Sequence, residues 1–391
     1  MRIGILHNAY RFRGGEDRVA ISEADLLASG GHYVSTKIFD NRVEYAQLGP
    51  KLRSTIRTAG GWNRSAADAI AEWTRAERLD LVHAHNIYPF ITGAGLDVLR
   101  QLRVPVVTTL HNFRPLCAAG TLTRNGERCE ACLDSGPLPA IRHACYRGSV
   151  TQSMSWALAN HRSRAAGVWT NAITRFIAPS THVKDTYVRA GFDATRIVVR
   201  PHFTNITPPA PSERRGVIVV GRVEQSKGVL DLIDAWPAHA PRLSVIGEGA
   251  DLEQAKAKAR PNIRFVGQLD REALSAEFGR AAVLISASQL PETFGLTLAE
   301  AAACRTPAVA FATGAHCDII ENGKTGYLAD RGDFRSLIFR AVRLATDPAR
   351  IETMGEAARA RYLARYTPDA GLRSLEAIYT ETLRPSIGYA A

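Results

Sequence analysis

Short apolar runs alternate with amphipathic stretches along this sequence, and the alternation breaks once and then restarts. In the first half, Arg2–His7, Tyr33–Phe39, Leu79–His85, Val104–His111, Phe176–Pro179 and Ile197–Arg200 read as strands. Helical spacing lies between most of them, at Asp17–Ser29, Ala66–Arg78 and Gly95–Leu102. Strands that take turns with helices predict a parallel sheet covered on both faces. The break is TNITPPAPSERRG, residues 204–216, with three prolines and no apolar period, which reads as a linker. The pattern resumes with Val217–Val220, Leu243–Ile246, Ile263–Val266, Val283–Ile285, Ala308–Phe311 and Gly326–Leu328. The expectation is an α/β chain of two doubly wound, Rossmann-like domains, residues 1–203 and 217–365, facing across a cleft. A helical segment, residues 366–391, is expected to pack back towards the first domain. Ligands in such sheets bind beyond the carboxyl ends of the strands, so the cleft is the expected site.

At 391 residues, with 46% hydrophobic and 22% charged content, the chain has the make-up of a globular enzyme. No run of eighteen apolar residues occurs, and MRIGILHNAYRFRGG lacks the apolar core of a signal peptide, so a cytoplasmic location is expected. Charge is unevenly placed. Residues 1–205 carry 26 Lys+Arg against 16 Asp+Glu, while residues 206–391 carry 23 against 22. A basic first half points to an anionic partner such as a phosphorylated substrate or a membrane surface, or to a merely basic solvated face. Zinc-finger, RNP and basic-zipper patterns are missing, so nucleic acid is not expected. Two basic clusters sit beside apolar residues. One joins Lys51, Arg53, Arg57 and Arg64 to Leu52, Ile56 and Trp62. The other places Arg142, His143, Arg147, His161, Arg162 and Arg164 around Val150, Met154, Trp156 and Leu158. Either reads as an interfacial surface on the inner face of an anionic membrane, or as core residues with solubilising cations.

The loops at strand ends carry the chemistry. Ala282–Pro307 reads strand, loop and then a helix that is apolar nearly all round, yet holds Glu300 eight residues after Glu292. A buried carboxylate needs a hydrogen-bonding partner, so Glu300 either reaches solvent beside Thr297 or meets a hydroxylated ligand. Phe294, Gly295 and Leu296 offer backbone N–H groups at the helix N-terminus, suited to phosphate. Arg222 and Lys227 bracket a loop after the first strand of the second half, a planar fork and a point charge that suit a diphosphate. Gly247 and Gln268 lie at the ends of two further strands, where turns can line a nucleobase pocket or simply connect elements. Gly14-Gly15 precedes a helix but is not the GxGxxG fingerprint.

Together, Gly14-Gly15, His111, GRVEQSKG at 221–228, IGEG at 246–249, VGQL at 266–269 and ETFGLTLAE at 292–300 resemble the family 4 glycosyltransferases. These are retaining enzymes of GT-B fold, and the resemblance covers essentially the whole chain. HNAYRFRGGEDRVAISEADLL, AHNIYPF and TLHNFRPLCAAGTLTRNGERCEACL look like a bacterial subset acting on cell-surface polysaccharides. The resemblance implies transfer of a sugar from a nucleoside diphosphate sugar to a saccharide or lipid-linked acceptor. It gives Arg222 and Lys227 the diphosphate, Glu300 the ribose, Glu292 the donor-sugar hydroxyls and Phe294–Leu296 the backbone contacts. His111 would face the anomeric centre, and Gly14-Gly15 would border it. The segment after Glu300 departs from the usual Ala-Met-Ala-Cys-Gly, reading Ala-Ala-Ala-Cys304-Arg305, and the later turn holds an unusual His316-Cys317 pair. With no Asp-x-Asp triplet, no catalytic metal is implied. The alternatives are a nucleotide-sugar epimerase of the same architecture and a non-catalytic nucleotide-sugar-binding subunit.

Cys117, Cys129, Cys132 and Cys145 fall in one segment as C-x11-C-x2-C-x12-C. In a reducing compartment this spacing fits a structural zinc site or four free thiols at a loop rim.

Overall fold

The computed structural model describes residues 1–10, 14–43, 61–210 and 213–384. It divides into two compact units. Met1–Arg124, Cys129–Arg200 and Leu372–Ala391 form the first, and Asn125–Arg128 with Pro201–Gly371 form the second.

The first unit is built on six parallel strands: β1 (Arg2–Ala9), β2 (Tyr33–Asp40), β3 (Leu81–Ala84), β4 (Val106–Thr109), β5 (Arg175–Ala178) and β6 (Ile197–Val199). They lie in the order β2-β1-β3-β4-β5-β6. Every residue of β3 and β4 is buried, as expected of strands covered on both faces. Helix α1 (Gly15–Ser29) follows β1, and α2 (Val150–Ala165) starts where Ser149 Oγ accepts the Gln152 N–H.

The second unit repeats the plan with β7 (Val217–Val220), β8 (Leu243–Ile246), β9 (Ile263–Gly267), β10 (Val283–Ser286), β11 (Ala308–Phe311) and β12 (Gly326–Ala329). Their order is β9-β8-β7-β10-β11-β12, all pairs parallel. The chain builds outwards from β7 through β8 to β9, then returns to the other flank of β7 with β10. The switch point is therefore between β7 and β10, where crevices form at the carboxyl ends of such sheets. Helix α3 (Leu296–Ala303) follows β10, and α4 (Pro368–Leu383) is the last described helix.

Two differences from the sequence reading have physical causes, and the last helix divides between the units. The third and fourth strands are shorter than their apolar runs, because His85, Leu110 and His111 leave the ladder as buried loop residues. The proline-rich segment is not a free linker. Thr204 N–H donates to Tyr366 C=O at 3.0 Å, and Ile206 is buried in a core cluster of the second unit. Finally, α4 changes allegiance along its length, since the residues from Leu372 onward belong with the first unit. There Leu375, Ile378 and Tyr379 pack with Ile3, Ile5, Leu27, Leu81, Val107 and Ile177. Each such large apolar side chain contributes about 1.5–3 kcal/mol by leaving water. Among the described residues no helix is long and apolar enough to cross a membrane.

Candidate active site

In the second unit, the loops after β7 and β10 flank the switch point and carry opposite charges. Lys227 closes the first loop and Glu292 the second, with Lys227 Nζ 2.8 Å from Glu292 Oε1. Both side chains are about three-quarters buried. Burial pushes the Glu292 carboxyl up, but the Lys227 ammonium together with His316 and Ser288 outweighs it and holds the group down at about 2. Glu292 is therefore an anion at neutral pH and an acceptor of hydrogen bonds. Arg222 sits differently. Its side chain is 71% exposed, resting 3.1 Å from Glu224, and is available to an incoming anion.

The backbone fixes this pair. Gly228 ends the first loop in the left-handed region, φ +66°, and a Cβ there would sit 2.1 Å from Ala287 C=O. Asp251 Oδ2 accepts the Gln225 N–H at 2.6 Å, tying the loop to the next connection. Gly314, φ +53°, lies against the backbone of Glu292, and Ala315 N–H donates to Glu292 C=O at 2.9 Å. The turn is anchored in turn by His316, whose Nδ1–H donates to Phe311 C=O at 3.0 Å while its Nε2 accepts from Ser286 at 3.3 Å. Sequence reading noted His316 as unusual without a role. Its structural work is to brace the turn that holds Glu292, and spacing alone gives no sign of that.

The other expected donor residues of this unit divide. Gly247 ends β8 pressed against Gly221, where a Cβ would meet the Gly221 carbonyl at 2.0 Å. Gln268 follows the edge strand β9 and is exposed. Phe294 turns its ring inward between His202 and Tyr366, so only its backbone is left for a ligand. Gly295 caps α3 and its C=O accepts from Leu298 N–H at 2.9 Å and Ala299 N–H at 3.1 Å, so the first-turn amides with no acceptor within the helix are those of Leu296 and Thr297. Glu300 lies on α3, 8% exposed among alanines.

In the first unit, Gly14 caps α1 and Gly15 begins it, both exposed. The Gly14 N–H is already taken by Asp17 Oδ2 at 2.7 Å. Asp17 Oδ1 also accepts from Tyr10 N–H at 3.1 Å and lies 2.9 Å from His7 Nε2. Burial raises the Asp17 carboxyl, but these donors prevail and it falls below its usual range. His111 follows β4 and is 7% exposed. Burial, with the nearby His7, lowers it to about 3, so the ring is neutral. Its Nε2 lies 2.8 Å from His85 Nδ1, a partner that sequence reading did not single out.

The four cysteines are free thiols, Cys117 buried and Cys129, Cys132 and Cys145 half-buried. Cys117 N–H bonds Phe113 C=O, Cys129 N–H bonds Leu122 C=O and Cys145 N–H bonds Ala140 C=O. Burial first, then the neighbouring Cys117, pushes the Cys132 thiol up to about 11. Among the described residues, the set of three potential metal-ligand atoms within 4.8 Å of one another is Glu23, His83 and His85, and the cysteines are not part of it. Of the two basic clusters, Lys51, Leu52, Arg53, Ile56 and Arg57 lie outside the described residues.

Comparison with known proteins agrees with this architecture. The family described as Glycosyltransferase Family 4 matches residues 13–207, and Glycosyl transferases group 1 matches residues 206–361. The chain is 23% identical over 408 residues to N-acetyl-alpha-D-glucosaminyl L-malate synthase of Bacillus anthracis, covering 98% of each. It is 39% identical over 301 residues to D-inositol 3-phosphate glycosyltransferase of Kribbella flavida, covering 71% of this chain and 66% of that one. Among solved structures, Anabaena Alr3699/HepE in complex with UDP superimposes with a TM-score of 0.66 at 16% identity, covering 97% of this chain and 100% of that one. Two matched families that meet between β6 and β7, and two six-stranded parallel sheets, lead to one conclusion: the chain belongs to the family 4 glycosyltransferases and is an enzyme of GT-B fold.

Proposed function

We propose that this enzyme moves a sugar from a nucleoside diphosphate sugar, with retention at the anomeric carbon, to a hydroxyl of a saccharide or lipid-linked saccharide acceptor in cell-surface polysaccharide biosynthesis. The observation that carries the reading is the Lys227–Glu292 pair at the switch point of the second unit, beside the exposed Arg222. Lys227 and Arg222 stabilise the departing diphosphate by preorganised charge, helped by amides at the start of α3. Glu292, ionised, accepts hydrogen bonds from donor-sugar hydroxyls, and Glu300 takes the ribose. His111 faces the reacting carbon, with Gly14 and Gly15 at its border. The neutral His111 ring suits hydrogen bonding without placing a full positive charge beside an oxocarbenium-like centre. Retention then follows from same-face attack, with the acceptor hydroxyl passing its proton to the leaving phosphate. UDP bound to the Anabaena relative makes a uridine nucleotide the first donor to test.

The acceptor reading draws on α2. Val150 and Met154 are each 51% exposed and Leu158 is 39% exposed, one helical stripe, while Trp156 is core. Arg142, His143, Arg147, His161, Arg162 and Arg164 around it are exposed. Apolar side chains framed by cations suit the inner face of an anionic membrane.

Incubation with UDP- and GDP-sugars tests the function. Nucleoside diphosphate release that rises with an added saccharide acceptor, and a product whose proton coupling matches the donor's anomer, are expected. Epimerised donor formed without acceptor would overturn the reading in favour of an epimerase.

A further inference from the structure

Behind His111 the first unit buries a line of ionisable groups that the donor site does not use. Glu23 comes from α1, His83 from β3, His85 from just after β3 and Arg200 from just after β6. Glu23 and His83 are fully buried, Arg200 is 2% exposed and His85 4%. Arg200 Nη1 donates to Glu23 Oε1, and Arg200 Nε donates to Ser374 Oγ at 3.2 Å. The second carboxylate oxygen, Glu23 Oε2, accepts no hydrogen bond and lies 3.6 Å from His83 Nδ1 and 3.7 Å from His85 Nε2. On its other side, His85 Nδ1 is 2.8 Å from His111 Nε2, and the two rings stack at 5.1 Å and 23°.

Glu23, His83 and His85 have the spacing of a metal site, but the charges oppose one. Arg200 already compensates the carboxylate, and a divalent ion would have to be desolvated beside a guanidinium. His83 is also satisfied at both nitrogens, with Tyr379 Oη 2.7 Å from Nδ1 and Thr109 Oγ1 2.7 Å from Nε2. What remains open is the position of one proton on His85. Burial keeps His83 and His111 neutral, and the Arg200 charge adds to this. Burial raises the Glu23 carboxyl while Arg200 opposes it, and a neutral Glu23 would leave the guanidinium buried and uncompensated. Of the other charged groups close by, Asp17 is engaged by His7. The carboxylate nearest His85 Nε2 is therefore Glu23, at 3.7 Å, and at that distance a ring N–H beside an anion is favoured over a lone pair beside it.

We propose that Glu23, anchored by Arg200, is a positioning residue that fixes His85 as the Nε2–H tautomer. His85 Nδ1 then accepts from His111 Nε2–H, which orients the His111 ring and leaves its Nδ1 as the acceptor nitrogen. The catalytic consequence rests on the reading that His111 faces the reacting sugar; the tautomer itself does not.

Histidine nitrogen-15 spectra of the full-length enzyme test this directly. The wild type is expected to show His85 protonated at Nε2 and bare at Nδ1, and His111 protonated at Nε2 without titrating over roughly pH 5.5–8. The opposite His85 tautomer, or titration of His111 in that range, overturns the proposal, as does a stoichiometric metal ion in the purified protein. Glu23→Gln, close in shape but uncharged, should disturb both ring signals and lower kcat by at least about tenfold, with the donor KM changed little. Unchanged ring signals in folded Glu23→Gln overturn the proposal, and should that variant not fold, the wild-type spectra still decide. If the rings respond and kcat does not, the tautomer lock stands and the reaction role of His111 falls.

Discussion

Lys227 Nζ lies 2.8 Å from Glu292 Oε1 although 65 residues separate them, and the contact joins the two loops on either side of the second unit's switch point. On the proposed function the pair serves two ends: it ties the two loops together, and it holds a cation that an incoming diphosphate shares with the carboxylate.

Removing the cation exposes this double role. Lys227→Ala should weaken UDP binding by about 1.5–3 kcal/mol, the range for a charged hydrogen bond. Because Glu292 would then repel phosphate, Glu292→Gln added to Lys227→Ala should recover part of the loss, so the two changes do not add. Calorimetry on the two single variants and the double variant checks this, and an unaltered affinity in Lys227→Ala would remove Lys227 from the donor site.

The same pair predicts an acid limb in stability. The folded Glu292 carboxyl, at about 2, lies below its ordinary value of 4.5. A depressed carboxyl contributes stability that is complete above 4.5 and lost as pH falls through 2. Melting temperature should therefore fall more steeply across that window in the wild type than in Glu292→Gln. Identical profiles would mean that the pair contributes nothing to folding.

Gly314→Ala tests the turn behind Glu292. It combines a left-handed φ with a Cβ placed 2.5 Å from Glu292 C=O and 2.6 Å from its N. The strain alone costs about 1–3 kcal/mol, and relieving the collision must move Glu292. Gly323→Ala is the comparison, φ +81° with open space around it. Both variants should melt lower, but UDP affinity should drop in Gly314→Ala alone, as measured by calorimetry.

The stripe on α2 predicts reversible attachment to anionic vesicles, with each cation near the surface adding about 1 kcal/mol. Flotation should recover the enzyme with anionic but not neutral vesicles, less so as salt rises, and Met154→Asp should reduce recovery. Equal recovery in the soluble fraction with both vesicle types would end this part of the proposal.

Both sheets were legible because the period of apolar residues is a local property, and so were the loops that flank the switch point. Lys227 and Glu292 could be named from their positions after β7 and β10. Side-chain direction was harder to read. Phe294 packs inward because His202 and Tyr366 offer it a pocket, while Arg222 stays in solvent beside Glu224. Glu23 gave no signal at all. It reads as one more polar residue on an amphipathic helix, and its partner Arg200 lies 177 residues away.

The packing of α4 on the first unit has a consequence for synthesis. Tyr379 is fully buried there and meets His83, and Ser374 meets Arg200, yet both residues are translated after the whole of the second unit. While the ribosome is still making β7 to β12, the first sheet lacks its last covering helix, with Ile3, Leu81 and Ile177 short of apolar neighbours. The unit encoded first is therefore completed only after the second, and the nascent chain carries a sticky sheet face while β7 to β12 are made.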